Sequence, residues 1–161
     1  MSDKVRITLE VNGRDVDAWV TTNQPLSEVL RTEAGQTDVK YGCGEGVCGT
    51  CTVLLDGDPV NSCLIFAIQA DGASITTLQG LAAPDGSLGA LQQSFLRHGG
   101  SQCGFCTPGM VLTAHWHVRN SPETDREAIR TALAGNFCRC TGYGKIIDAV
   151  EAYAKEAGRV G

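Results

Sequence analysis

Eight cysteines fall into two sets of four, and no other feature of the 161-residue chain constrains its fold as much. Cys43, Cys48 and Cys51 stand in C-x4-C-x2-C spacing, with Cys63 on the next apolar segment. The second set is Cys103-x2-Cys106 followed by Cys138-x-Cys140. Four disulfides would suit a small secreted scaffold. A chain of this length buries about two thirds of its unfolded surface and needs no staples. Its start, Met1-Ser2-Asp3-Lys4, leads straight into a strand pattern, without the charged beginning and apolar centre of an export signal. In a reducing compartment, clustered cysteines are metal ligands or redox thiols.

The first set has the spacing of a plant-type [2Fe–2S] loop, in which three thiolates come from one tight turn and a fourth from outside it. Gly42, Gly44, Gly46 and Gly49 interleave the cysteines. Such glycines let the backbone bend around a cluster and aim amide N–H groups at the sulfurs. The same residues spell Gly44-x-Gly46-x-x-Gly49, a bare dinucleotide fingerprint, but that motif opens a helix after a strand, and here it runs into a β segment. A zinc ribbon shares the C-x2-C element, yet it pairs two short knuckles and fits the x4 spacing poorly. Iron–sulfur is therefore the expected chemistry of this set.

Cys106 precedes Thr107-Pro108, a helix start, and Cys138 and Cys140 lie between Gly135 and a last helical segment. Helix N-termini favour thiolates through free N–H groups and the dipole. Taken alone, this second set suits zinc and iron–sulfur alike. A thioredoxin-like Cys103-x-x-Cys106 pair is disfavoured, because the βαβ context is missing.

The order of elements divides the chain. Val5, Ile7, Leu9 and Val11 alternate with polar residues, Asn12-Gly13 makes a hairpin turn, and Val16, Ala18 and Val20 alternate on the return. Pro25 opens a short helix carrying Leu26, Val29 and Leu30, and Thr52–Leu55, Val60–Leu64 and Ala73–Leu78 read as further strands. Beyond residue 80 the period is helical. Leu88, Leu91 and Phe95 share a face ended by Gly99-Gly100; a second helix runs from Thr107-Pro108 to Ser121-Pro122. Thr124-x-x-Glu127 reads as the capping box of a third, and a fourth spans Tyr143 to Ala157. The expectation is α+β, with a β-rich part at 1–79 and a four-helix part at 80–161, joined near Ala82–Gly86.

Composition narrows the function. Thirteen basic and 18 acidic residues give a net charge of −5, which disfavours a nucleic-acid partner. No apolar run reaches the ~18 residues of a membrane span. Charged residues are 19% of the chain, and residues 41–122 hold only Glu45, Asp56, Asp58, Asp71, Asp85, Arg97 and Arg119. Interface cores are depleted in charge, so part of this low-charge stretch is expected to face a partner. The three histidines His98, His115 and His117 show no catalytic pattern, and Ser62 and Thr107 have no evident base. Packing or surface roles are expected for the His115-Trp116-His117 motif. The residues offer electron-carrier chemistry and no substrate-transforming site.

Three motifs carry a resemblance over nearly the whole chain: Tyr41-Gly42-Cys43-Gly44-Glu45-Gly46-Val47-Cys48-Gly49-Thr50-Cys51-Thr52-Val53, Gln102-Cys103-Gly104-Phe105-Cys106-Thr107-Pro108-Gly109-Met110 and Gly135-Asn136-Phe137-Cys138-Arg139-Cys140-Thr141-Gly142-Tyr143. In that order they resemble the small iron–sulfur subunit of the xanthine oxidase (molybdenum hydroxylase) family. The resemblance implies a β-grasp ferredoxin-like domain followed by a four-helix bundle domain, each with one [2Fe–2S] cluster. Cys43, Cys48, Cys51 and Cys63 match the ligands nearer a flavin; Cys103, Cys106, Cys138 and Cys140 match those nearer a pterin. Gln102 and Cys140 match the residues that touch the pterin.

The implied partners are a large molybdopterin subunit, often with the cytosine dinucleotide form, and a medium FAD subunit, in a heterotrimer or a dimer of heterotrimers. Electrons would pass from molybdenum through the second cluster, then the first, to FAD. Cys106-Thr107-Pro108-Gly109 resembles the form common in flavin-containing assemblies. His115-Trp116-His117 departs from the family pattern, which bears on how that helix packs. A cytoplasmic location is expected, or a periplasmic one through co-export with a signal-bearing partner. The alternative functional reading is a free-standing ferredoxin or a metal-stabilised assembly or interaction protein.

Overall fold

The computed structural model describes residues 4–159; the residues Met1–Asp3, used above to read the start of the chain, lie outside this range. Strands β1 (Val5–Val11) and β2 (Arg14–Val20) form an antiparallel hairpin in which Val11 pairs with Arg14. The two-residue turn works because Asn12 and Gly13 both take positive φ, 52° and 78°, matching the twist of the strands. Alternation puts Ile7, Leu9, Val11, Ala18 and Val20 inside, and Trp19 outside. Helix α1 (Leu26–Thr32) buries Leu26, Val29 and Leu30 against this face.

Strands β3 (Thr52–Leu55), β4 (Asp58–Asn61) and β5 (Ser74–Thr76) complete a mixed sheet in the order β2-β1-β5-β3-β4. Two strands differ from the sequence expectation. The tight Asp56-Gly57 turn sets Leu55 opposite Asp58, so β4 starts two residues before Val60 and its pairing ends at Asn61. Cys63 therefore lies in a turn after the strand, where the Leu64 amide donates to the Asn61 carbonyl at 2.9 Å. Strand β5 stops at Thr76 because the Thr77 amide turns to the Asn12 side chain at 2.9 Å and the chain enters a 3-10 turn at Leu78–Leu81.

The remainder is helical: α2 (Ala90–Arg97), α3 (Thr107–Asn120), α4 (Arg126–Ala132) and α5 (Gly144–Glu156). Leu88 lies before α2 and is exposed, so the inward face of that helix is Leu91 and Phe95, with buried Ser94 donating to the Ala149 carbonyl of the last helix at 2.7 Å. The expected Thr124 cap is also displaced. Asp125 caps α4, its carboxylate accepting from the Glu127 and Ala128 amides at 2.9 and 3.0 Å, whereas the buried Thr124 hydroxyl donates to the Arg159 carbonyl. A carboxylate one residue nearer the helix is the stronger acceptor for those free amides.

Two apolar clusters result. One joins the sheet to α1; the other joins α2–α5 around Phe95, Met110, Ile129 and Ile146. Helix α3 bridges the two halves. The Trp116 indole donates to the Asp58 carboxylate of β4 at 3.1 Å, and Gly109 lies against the loop before β3. His117 is buried, with an unpartnered Nε2, and its neighbour His115 is half-buried. The sequence motif thus serves packing between α3, α4 and the sheet.

Candidate metal centres

The first cysteine loop precedes β3 and holds no regular structure, because its backbone is bent around its own sulfurs. Gly44, Gly46 and Gly49 all take positive φ, between 65° and 77°. At Gly46 the left-handed φ of 77° disfavours any side chain, and a β-carbon there would also have to push aside the tip of the exposed Leu64 side chain. The bend aims the Glu45 amide at Cys43 Sγ, 3.4 Å away, and brings the Cys48 sulfur within 3.3 Å of the Thr50 hydroxyl.

The cysteines neighbour one another in pairs. Cys48 lies near enough to act on the Cys43 thiol, and Cys63 near enough to act on Cys51. In the second set Cys138 acts on Cys106 in the same way, and the Cys103 and Cys140 sulfurs stand 3.5 Å apart. Metal–thiolate bonds of about 2.3 Å in a tetrahedron put two sulfurs about 3.7 Å apart, so that pair has the spacing of two ligands on one metal. Among the described residues, no three His, Cys, Asp or Glu side chains surround a point as a single ion would need. Two pairs per set fit a two-metal cluster, with one pair on each metal. The all-thiolate donor sets also match the ligand chemistry of [2Fe–2S] clusters.

The thiols of each set differ in acidity. The Glu45 amide and then the Cys48 thiol bring Cys43 down to about 6, while burial pushes Cys51 up to about 11. The Phe105 amide lowers Cys103, and burial drives Cys106 up to about 12. Each set therefore combines one donor whose thiolate form is favoured by a backbone amide with one whose burial opposes ionisation until a cation offsets the desolvation.

The two sets adjoin. A cavity of about 330 Å³ is lined by Cys48 of the first set and by Cys103, Cys106, Cys138 and Cys140 of the second, with Gly42, Phe105 and Phe137 closing its sides. The Phe137 amide donates to the Cys48 carbonyl at 2.9 Å. Tyr143 supports the second loop: its hydroxyl accepts from the Cys138 amide at 2.9 Å and donates to the Asn136 carbonyl at 3.2 Å. Cys106 and Cys138 are buried, whereas Cys103 and Cys140 are exposed beside exposed Gln102. Sequence reading missed Asn136 and Tyr143, which act through backbone contacts that spacing does not reveal.

Comparison with known proteins agrees with this geometry. The family model described as "2Fe-2S iron-sulfur cluster binding domain" matches residues 9–74, and "[2Fe-2S] binding domain" matches residues 77–151. The chain is 48% identical to the nicotinate dehydrogenase small FeS subunit of Eubacterium barkeri, over 96% of this chain and 97% of that one. It superposes on a chain of quinoline 2-oxidoreductase from Pseudomonas putida 86 with a TM-score of 0.92 at 46% identity, covering 98% of both. Aldehyde oxidoreductase from Desulfovibrio desulfuricans gives a TM-score of 0.89 at 43% identity, covering 95% of this chain but 17% of that longer one.

Proposed function

The chain belongs to the [2Fe–2S] subunits of the xanthine oxidase family and is an electron-transfer subunit of an oxidoreductase complex with two [2Fe–2S] clusters; on that premise we propose the residues that hold the clusters and the path through them. Cys43, Cys48, Cys51 and Cys63 hold the first cluster, and Cys103, Cys106, Cys138 and Cys140 the second. Cys43 and Cys48 would supply neighbouring thiolates to the first, and exposed Cys103 and Cys140 together with buried Cys106 and Cys138 would supply those of the second. When bound, each cluster takes up and gives back one electron at a time. The Glu45 and Thr141 amides, 3.4 and 3.5 Å from Cys43 and Cys138 sulfurs, stabilise the negative charge there.

The fold is a β-grasp ferredoxin-like domain over about 1–79 and a helical bundle domain over about 80–161. The chain relays electrons from a molybdopterin centre in a large partner, entering at Gln102 and Cys140, to FAD in a medium partner near the first set. The pterin is of the cytosine dinucleotide form and the assembly a heterotrimer or its dimer. The complex is cytoplasmic in this reading; among the described residues no helix is long and apolar enough to cross a membrane. One observation supports this direction: the second set exposes Cys103 and Cys140 beside exposed Gln102 and buries Cys106 and Cys138, and Cys48 of the first set lines the same cavity as all four.

Gln102 tests it. Its neutral amide both donates and accepts, as a polar pterin edge requires. Gln102→Leu in the assembled complex is expected to keep both clusters and slow their reduction by substrate, seen by rapid mixing at the iron–sulfur absorbance. Leaving a buried polar partner unpaired costs about 1–3 kcal/mol. Unchanged reduction rates at full molybdenum content would remove Gln102 from the route.

A further inference from the structure

Gly49 lies one residue beyond Cys48, and three cysteine-bearing segments meet on its carbonyl oxygen. Its own loop supplies the Thr52 hydroxyl at 2.7 Å and the Thr52 amide at 3.3 Å. The Asn136 amide nitrogen, from the segment that leads into Cys138, donates to it at 2.9 Å, and Asn136 is 4% exposed. Helix α3, which follows Cys106, brings Gly109 so close that a β-carbon there would stand 2.1 Å from the same oxygen. At Gly49 itself a β-carbon would stand 2.4 Å from the Gly135 carbonyl and 2.6 Å from Asn136 Nδ2.

A buried asparagine commonly does no more than satisfy an orphan carbonyl. Gly49 is not such a case, since Thr52 already donates to it from two atoms. The Asn136 bond adds a tie between the halves of the molecule. Together with the bond from the Phe137 amide to the Cys48 carbonyl, it fastens residues 48–49 to residues 136–137, each pair adjoining or containing a cysteine of its set.

We propose that Asn136 is a positioning residue for electron transfer: its side-chain amide, seated on Gly49 between two glycines, holds the two cysteine sets at their working separation. The inference rests on the ligand assignment above. The step it serves moves one electron from the reduced second cluster to the oxidised first, with no bond made or broken. Tunnelling slows steeply as the gap widens, so a joint that fixes the gap fixes the rate.

The test uses the assembled complex with dithionite as reductant, comparing Asn136→Asp and Asn136→Ala with the parent protein. Iron content and the two separate electron paramagnetic resonance signals report whether both clusters are held. The splitting of those signals, which arises from magnetic coupling across the gap, reports their separation. Both variants are expected to keep both signals and lose splitting. Asn136→Asp should lose more, although it is the closer isostere, because a carboxylate has no donor for the Gly49 carbonyl and repels it. If neither variant folds, Gly109→Ala reads the same joint, since its added carbon must displace that carbonyl, and reduced splitting with both signals kept is again expected. Full splitting in the variants that retain both clusters would overturn the inference. A parent complex without two [2Fe–2S] signals would overturn the ligand assignment, and this inference with it.

Discussion

Each cysteine set is complete within its own half of the chain, and the cysteines that act on one another's acidity belong to the same set. Cys48→Ser is therefore expected to lose or weaken the first cluster alone, and Cys106→Ser the second alone. Iron counts and electron paramagnetic resonance on both variants check this; loss of both signals from a folded single variant would contradict the partition. His117 supplies a second expectation. Burial lowers the pKa of its imidazole, against the opposing pull of the Glu123 carbonyl and the Asp125 charge. A lowered folded-state pKa means that the unfolded chain binds more protons below the ordinary value of about 6.5. The contribution to stability is thus intact above that pH and is lost as pH falls toward the folded-state pKa. His117→Gln should flatten the decline of melting temperature below pH 6.5, and an unchanged slope would contradict the account. The division of the eight cysteines into two sets was legible in the sequence, because the members of each set fall on a few short motifs. The burial of His117 was not, because histidine polarity hides which face of α3 it occupies.

Among the elements, helix α4 depends on a single side chain for its start. Asp125 satisfies two free amides at once. Asp125→Ala should cost about 0.5–2 kcal/mol, seen as a fall of a few degrees in thermal unfolding; an unchanged melting temperature would show that the cap contributes nothing. Sequence periodicity located the β1–β2 hairpin and all of the helices α1–α5, since the amphipathic patterns and the Asn12-Gly13 turn are local signals. It misplaced β4, β5 and the cap of α4. Partners far along the chain decided two of these, Asn12 for the end of β5 and Arg159 for the Thr124 hydroxyl, while the tightness of the Asp56-Gly57 turn decided where β4 begins.

At the scale of the whole molecule, apolar side chains stay exposed beside both cysteine sets. Tyr41 and Leu64 lean over glycines of the first loop and Val47 stands on it, 70% exposed; Phe105 and Phe137 flank the second set. Such patches on a free chain promote association. The subunit is expected to occur in its native cells within a larger complex, and a stable, soluble, active 17.0 kDa monomer with no companion chains would contradict that. Low charge over residues 41–122 was the sequence's sign of the exposed apolar side chains found there, Tyr41, Val47, Leu64 and Phe105 among them. The close seating of Gly109 on Gly49 was not legible in the sequence, because glycines are read first as turns. The most direct test of the central claim is metal analysis of the purified complex with electron paramagnetic resonance after reduction. Two [2Fe–2S] clusters predict about four iron per copy of this chain, no zinc, and two distinct signals of equal intensity. One signal, half the iron, or zinc in either cysteine set would contradict it.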